Sequence, residues 1–232
     1  MANAKPKAKP GEATAARVFI IEDHPIVRER LGHLVNSQTD LSVCGEADDT
    51  RGVLDLVAAA QPDLVITGLS FKHGHGLGVV KDFHARFPRI SVLVFSMYDE
   101  ALYAERAVRA GARGFVHKRQ PTDELLRAIR HVLSGQLYLS EKIAAAKLRQ
   151  FFGRPVTKPG SVLEQLSDRE LEVLQLIGQG RSTRQIATAL HLDIKTVETY
   201  RARIKLKLNL GSSTELVQQA QSLTTHPASR AM

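Results

Sequence analysis

Two groups of side chains in this 232-residue sequence are of types that do chemistry. The first comprises a carboxylate pair, Glu22 and Asp23, a hydroxyl, Ser96, and an ammonium group, Lys118, each at or near the end of a short apolar run. The second is the stretch 195–207, which carries five basic residues against one acidic residue. Such a cationic stretch favours a polyanionic partner, whereas the first group can act only if the fold brings its members together.

The first half of the chain alternates short apolar runs with helical patterns. Runs typical of buried strands lie at residues 18–21, 41–44, 64–66, 92–95 and 114–116. Between them apolar residues recur at helical spacing, as in the helix expected to bury Ile26 together with Leu31 and Val35. Five strands alternating with five helices predict an α/β fold with a doubly wound parallel sheet. The polar group then lies at the carboxyl ends of the strands, where such sheets place their sites.

Residues 17–135 resemble the receiver domain of two-component response regulators. Besides the strand-end residues, the shared motifs are Asp23-His24-Pro25, Pro62-Asp63-Leu64-Val65-Ile66 and Gly111-Ala112-x-Gly114-Phe115. The resemblance implies a flavodoxin-like, five-stranded sheet of order 2-1-3-4-5. A sensor kinase or another regulator is the partner that it suggests.

The resemblance also assigns roles to the strand-end residues. In that family an acidic pair, here Glu22 and Asp23, binds Mg²⁺, and an Asp after the third strand accepts a phosphoryl group. A hydroxyl and a lysine, here Ser96 and Lys118, hold the phosphoryl oxygens, and Phe115 is the aromatic ring that rotates inward. Carboxylates repel a phosphoryl group unless a hard divalent cation bridges them, which is why the family needs the metal.

The acceptor position departs from the family pattern. Where the family has Asp, the run from Pro62 to Leu69 places Gly68, which has no side chain to phosphorylate. Because the pocket thereby loses a carboxylate ligand, Glu22 and Asp23 are only weak Mg²⁺ candidates, and no other cofactor is expected. Asp63 cannot substitute, since it lies at the other end of the strand, at about 3.3 Å per residue.

Two interpretations of Gly68 stay open. One is a natural pseudo-receiver, whose output does not depend on aspartyl phosphate and which acts by dimerisation or partner binding. The other is an ordinary phospho-activated regulator in which the acceptor Asp has been replaced. We favour the first.

Residues 163–224 show a helical pattern with recognisable helix starts. The segments Ser167–Glu170 and Ser182–Gln185 are capping boxes that open two helices. A longer basic helix is expected from about Ile194 to Leu208, capped by Asp193. A short helix, a tight turn and a basic helix make a helix-turn-helix, which docks in the major groove of double-stranded DNA.

This region resembles the LuxR-type DNA-binding domain. The matching residues include Leu166-Ser167-x-Arg169-Glu170, Gly180, Ile186-Ala187, Lys195-Thr196-Val197-Glu198-Thr199 and Lys207-Leu208. A receiver followed by this domain is similar to the NarL/FixJ class of response regulators. That similarity implies a bacterial transcription regulator that acts as a homodimer, with a fourth helix over residues 214–223 as the usual dimer contact.

The basic helix is expected to divide its DNA contacts into two kinds. Its N-terminal half should enter the major groove, where Glu198 could accept from a cytosine amino group, and Thr199 and Ala202 could touch a thymine methyl. Its basic residues should contact phosphates, which position the protein but specify little sequence. The expected DNA-binding residues are Lys195, Thr196, Glu198, Thr199, Arg201, Ala202, Arg203, Lys205 and Lys207.

Composition restricts other kinds of partner and location. The formal net charge is +8, yet residues 17–135 hold as many basic as acidic side chains, so the excess lies outside them. The single cysteine, Cys44, allows no intrachain disulfide. No apolar run is long enough for a membrane span or a signal peptide, which predicts a cytoplasmic protein without a membrane partner. Aromatic residues make up only 5% of the chain and Trp is absent. This composition disfavours a protein that binds single strands or RNA by stacking bases on aromatic rings.

The predicted organisation is two domains with a linker and two tails. Disordered tails are expected at 1–16 and 225–232, and a basic linker rich in Pro and Gly at 136–162, between domains at 17–135 and 163–224. An enzyme is disfavoured because no nucleophile–base pair remains when position 68 is Gly. A module that titrates partner regulators without binding DNA is disfavoured by the intact basic helix.

Overall fold

A computed structural model describes residues 15–71, 76–145, 163 and 165–224 of the chain. The predicted disorder of residues 1–14 and 225–232, and most of the predicted linker, fall outside the described residues. Ala16, placed in the predicted N-terminal tail, is the first residue of the first strand.

The first half of the chain is a parallel sheet flanked by helices, as predicted. The strands pair in the order β2-β1-β3-β4-β5, and every pairing is parallel. The strands are β1 (Ala16–Ile21), β2 (Leu41–Ala47), β3 (Leu64–Thr67), β4 (Ser91–Ser96) and β5 (Gly114–His117). The helices between and after them are α1 (Pro25–Asn36), α2 (Val53–Ala60), α3 (Gly76–Arg86), α4 (Glu100–Arg109) and α5 (Thr122–Leu133).

Both faces of the sheet are covered, because successive strand residues point to opposite sides. Val18 and Ile20 of β1 pack in the layer formed by α1 and α5. Phe19 and Ile21 pack in the layer formed by α2, α3 and α4. The bodies of β1, β3, β4 and β5 are therefore buried and almost wholly apolar, whereas the edge strand β2 is only half-buried.

One residue of α1 does not follow the predicted apolar face. Ile26 is 75% exposed, whereas Leu31 and Val35 are buried. At 3.6 residues per turn, Ile26 lies about 180° around the helix from Val35, so the two cannot share a face. The prediction that Ile26 is buried is wrong for this reason.

The segment after α5 returns to the edge of the sheet. The Tyr138 amide donates to the Arg113 carbonyl (2.9 Å), and the Phe115 amide donates to the Tyr138 carbonyl (3.2 Å), forming a parallel bridge beside Gly114. The amide of Ser140 donates to Glu100 Oε1 at 3.1 Å. The first residues of the predicted linker thus pack on the first domain.

Residues 165–224 contain four helices, and the predicted helix-turn-helix lies among them. They are α6 (Asp168–Gly178), α7 (Thr183–Leu190), α8 (Ile194–Lys207) and α9 (Ser213–Thr224). Both predicted capping boxes are present, at Ser167 with Glu170 and at Ser182 with Gln185. Asp193 is the N-cap of α8, but its side chain makes no cap hydrogen bond, because the Thr196 and Val197 amides donate to its backbone carbonyl instead.

The turn between α7 and α8 is tight and leaves α8 half embedded. His191 adopts a left-handed backbone conformation (φ 51°), which lets the Leu192 amide donate back to the Ala187 carbonyl at 2.9 Å. Val197 and Ile204 of α8 are fully buried, so the helix presents its opposite side outward.

Candidate functional site

The strand ends of the first domain form a small polar pocket around Glu22. The Glu22 side chain, at the end of β1, is only 1% exposed. Lys118, after β5, places its Nζ 2.8 Å from Glu22 Oε1 and 2.7 Å from Oε2. The two predicted pocket residues thus form a direct and largely buried ion pair.

His24 contacts both carboxylates of the acidic pair, Glu22 and Asp23. Its Nδ1 lies 3.0 Å from Glu22 Oε1 and 2.7 Å from Asp23 Oδ1. Its backbone amide donates to Glu22 Oε1 at 3.2 Å. The sequence signal for this residue was the Asp23-His24-Pro25 motif, from which no role for the imidazole was predicted.

Gly68 lies beside Glu22, where a side chain would fit. A Cβ at this position would be 3.5 Å from Glu22 Oε2 and 3.6 Å from Phe71 Cζ, which are ordinary van der Waals distances. The Gly68 amide donates to the Ile21 carbonyl at 3.0 Å, which ties the end of β3 to β1. The predicted acceptor position is therefore inside the pocket, but it has no side chain that could accept a phosphoryl group.

Ser96 and Phe115 complete the set predicted for the pocket. Ser96 is buried, and its Oγ accepts a hydrogen bond from the Tyr98 amide at 3.1 Å. The Lys118 amide donates to the Ser96 carbonyl at 2.8 Å, which joins the ends of β4 and β5. The Phe115 ring is completely buried and so already lies inward.

The oxygen donors of this pocket do not fit a Mg²⁺ ion. Donor atoms of Glu22, Asp23 and His24 lie within 4.8 Å of one another. However, both Glu22 oxygens face Lys118, and Asp23 is hydrogen-bonded to His24. Mg²⁺ needs near-octahedral oxygen ligands, and Gly68 supplies no side-chain oxygen. We therefore derive no chemical step through a metal at this site.

The outer side of α8 is the second candidate site. The expected DNA-binding residues at 195, 198, 199, 202 and 203 are exposed, and those at 196, 201 and 205 are partly exposed. Within the described part of the chain, no ion pair holds Lys195, Arg201, Arg203 or Lys205. These cations are consequently available to an anionic ligand.

Thr199 presents one kind of surface to such a ligand. Its Oγ1 donates to the Lys195 carbonyl at 2.9 Å, one turn back along the helix. Because the hydroxyl proton is used inside the helix, Thr199 can offer its methyl group for apolar contacts outside the helix.

Lys207 differs from the other cations of α8. Its Nζ lies 2.6 Å from Oε2 of the buried Glu170. Burial alone would raise the pKa of Glu170, but the hydrogen bonds from Lys207 and Ser167 outweigh it and lower the pKa. The charge of Lys207 is therefore paired with Glu170 of the same domain.

The two halves of the chain match two described protein families. Residues 18–130 match the family described as response regulator receiver domain, and residues 164–220 match bacterial regulatory proteins of the luxR family. No helix in the described parts of the chain is long and apolar enough to cross a membrane.

Individual relatives match over nearly the whole chain. The oxygen regulatory protein NreC of Staphylococcus carnosus is 34% identical over 208 residues, which cover 88% of this chain and 96% of that protein. The structure of RcsB from Salmonella enterica serovar Typhimurium, bound to promoter rprA in the presence of BeF3⁻, superposes with a TM-score of 0.62. It is 23% identical and covers 90% of this chain and 99% of its own, so the likeness is one of fold.

A further solved structure matches part of the chain at higher identity. It is a two-component response regulator of the LuxR family from Aurantimonas sp., 30% identical, with a TM-score of 0.55. The match covers 59% of this chain and 99% of that structure.

Proposed function

Because the chain belongs to the response regulators that join a receiver domain to a LuxR-type DNA-binding domain, we propose that it regulates transcription with a receiver that is not phosphorylated at position 68. The observation that carries this proposal is the pocket itself. The acceptor position is Gly68, and the lysine that would hold a phosphoryl group is paired with Glu22.

The exposed side of α8 supports the binding of double-stranded DNA. An α-helix fits the major groove, and the free cations at 195, 201, 203 and 205 can contact phosphates on either side of it. Glu198, Thr199 and Ala202 project from the N-terminal half and would face base edges. The RcsB structures, in which a chain of this fold is bound to promoter DNA, are consistent with this proposal.

The buried ion pair supports independence from phosphorylation. In a low-dielectric pocket, separating Lys118 from Glu22 would leave a charge uncompensated. An incoming phosphoryl group would have to compete with Glu22 for this ammonium and would find no nucleophile at position 68. The input of the receiver would then be a second copy of the chain or another regulator, and no bound metal or other cofactor is required.

A second candidate is an ordinary phospho-activated regulator in which the acceptor Asp has been replaced. The space at Gly68 favours it, since a Cβ there makes only ordinary contacts. The two candidates share the DNA-binding function and differ in whether dimerisation and DNA binding respond to phosphorylation once Asp is restored at position 68.

The test uses small phosphoryl donors on the full chain. We expect that Mg²⁺ with acetyl phosphate, or with beryllofluoride, leaves three readouts unchanged: the mass of the protein, its monomer–dimer equilibrium by sedimentation, and its affinity for duplex DNA by fluorescence anisotropy. A clear gain in dimerisation or DNA affinity would contradict phosphorylation independence, while failure of the untreated chain to bind duplex DNA would contradict the DNA-binding function.

A further inference from the structure

The two domains are in contact through a guanidinium group that sequence analysis did not single out. Arg106 of α4 is 18% exposed and donates three hydrogen bonds to the start of the second domain. Its Nη1 contacts the Leu166 carbonyl (2.9 Å) and Asp168 Oδ1 (2.8 Å), and its Nη2 contacts the Leu163 carbonyl (2.8 Å). Lys81 Nζ adds a longer ion pair to Asp168 Oδ2 at 3.6 Å. The planar guanidinium group of Arg106 thus binds the segment that leads into α6.

A partly buried tyrosine makes the second connection. The Tyr98 hydroxyl donates to Glu172 Oε1 at 2.7 Å, and this carboxylate of α6 is only 2% exposed. Arg169 neutralises it from within its own helix, with Nη1 2.6 Å from Oε2. Burial and the adjacent Glu172 carboxylate raise the pKa of Tyr98 well above its ordinary value, so the hydroxyl stays a donor. Undocking would expose this carboxylate and break a charge-assisted hydrogen bond.

Apolar contacts accompany these polar ones. The Tyr98 ring packs against Tyr103 of α4, with ring centroids 4.8 Å apart, and Tyr103 is fully buried. Leu163 and Leu166 are buried and belong to the same apolar cluster as Tyr103. The contact therefore combines a small apolar centre with directional hydrogen bonds, which defines one orientation of α6.

The contact leaves α8 open. Among the described residues, the second-domain groups that pair across this contact belong to Leu163, Leu166, Asp168 and Glu172, and none of these lies in α8. The outer residues of α8, including Glu198, Thr199 and Arg203, stay exposed while the domains are docked. A receiver that blocked DNA would have to cover this side of the helix.

From these contacts we propose that the receiver positions the second domain in a DNA-competent arrangement, with the surface formed by Tyr98, Arg106 and Lys81 as the receptor for Leu163, Leu166 and the start of α6 in the same chain. The receiver therefore holds α6 and does not shield α8. This inference rests on the proposed DNA-binding role of α8, but the docking itself is measured without DNA.

The experiment compares Arg106→Ala and Tyr98→Phe with a matched control in the full chain. Arg109→Ala is the control, because it removes an arginine from the same helix that pairs with Glu105 of α4 instead of with the second domain. Amide hydrogen exchange over residues 165–178 reports docking, and anisotropy on a short random-sequence duplex at low salt reports the availability of α8.

We expect exchange over residues 165–178 to rise about tenfold in Arg106→Ala and to rise less in Tyr98→Phe, with no change in Arg109→Ala. Affinity for the random duplex should change by less than about twofold in all three. Unchanged exchange in both interface variants would overturn the docking. A DNA affinity about tenfold higher in Arg106→Ala would show that docking covers α8, and would also overturn the proposal. If the wild type binds no DNA, the proposed function fails, while the exchange data still decide whether the domains dock.

Discussion

Lys118 and Glu22 face each other across the pocket at 2.7 Å, beside the position that the family pattern reserves for a third carboxylate. Glu22 follows β1 and Lys118 follows β5, so each charge is compensated across the two strands, β3 and β4, that lie between them. Gly68 lies next to the pair, and its missing side chain leaves Glu22 as the partner of the lysine. The buried Glu22 carboxylate therefore has Lys118 as its counter-charge.

Removing the ammonium should therefore destabilise the first domain. In Lys118→Met the buried Glu22 carboxylate loses its counter-charge, and we expect a loss of about 3 kcal/mol in the free energy of unfolding. The double variant Lys118→Met, Glu22→Gln should recover part of that loss, because no buried charge remains. Urea denaturation of the three proteins measures both effects, and equal stability of the single variant and the wild type would show that the pair contributes nothing.

Restoring the carboxylate at position 68 should restore phosphorylation. The Cβ of Gly68→Asp has room beside Glu22 and Phe71, and its carboxylate would compete with Glu22 for Lys118. With acetyl phosphate and Mg²⁺, we expect intact-mass spectrometry to show one added phosphoryl group on Gly68→Asp. The isosteric Gly68→Asn variant, which has no carboxylate, should stay unlabelled. An unlabelled Gly68→Asp would mean that the remaining pocket residues no longer support the reaction.

Arg203 is expected to contribute phosphate contacts that do not depend on sequence. Arg203→Ala should weaken binding to every duplex and reduce the slope of log affinity against log salt by about one. Lys207→Ala is a useful comparison, since Lys207 is engaged with Glu170 and should change the slope less. Titrations at several salt concentrations give the slopes, and an unchanged slope for Arg203→Ala would remove this residue from the DNA interface.

Thr199 should contribute to base preference through its methyl group. Its hydroxyl donates to the Lys195 carbonyl, so Thr199→Val keeps the outward methyl and Thr199→Ser loses it. We expect Thr199→Ser to reduce the preference for thymine at one position by about 1 kcal/mol, and Thr199→Val to retain it. Selection from a random duplex pool, repeated with uracil in place of thymine, measures the preference. A preference lost in Thr199→Val and kept in Thr199→Ser would contradict this assignment.

The Glu170–Lys207 pair should make the second domain sensitive to acid. The pKa of Glu170 is lowered in the folded chain, so the carboxylate stabilises the fold above its unfolded pKa, about 4.3, and this stabilisation is lost as pH falls through the folded value. Amide exchange in α6 should accelerate as pH falls below about 4, after correction for intrinsic rates. The acceleration should be smaller in Lys207→Met than in Lys205→Met, and equal behaviour of the two variants would refute the link.

Much of this structure follows from local sequence patterns. The apolar runs located all five strands, most clearly β1, β3, β4 and β5, because a strand buried on both faces is nearly continuous in apolar residues. The capping boxes located the starts of α6 and α7, since a serine followed three residues later by Glu or Gln satisfies free amides at that point. The polar residues at strand ends could likewise be predicted to meet, because parallel strands share one carboxyl edge.

The contacts between distant segments could not be obtained this way. Nothing near Tyr98 or Arg106 in sequence indicates Glu172 or Leu163, which lie more than fifty residues further along the chain. The pairing of Lys118 with Glu22 could not be predicted either. The sequence shows that position 68 lacks a carboxylate, but it does not show which group then pairs with the lysine. Lys207 resembled the other cations of its helix until the fold placed Glu170 beneath it.

The bridge between Tyr138 and β5 has a practical consequence for cutting the protein into parts. A fragment ending at Leu133, where α5 stops, would leave the Phe115 amide and the Arg113 carbonyl on an uncovered strand. Such an edge can recruit a strand from another molecule and promote aggregation. A fragment intended to be well behaved in solution should therefore extend through Ser140, so that the chain itself provides the last rung of the sheet.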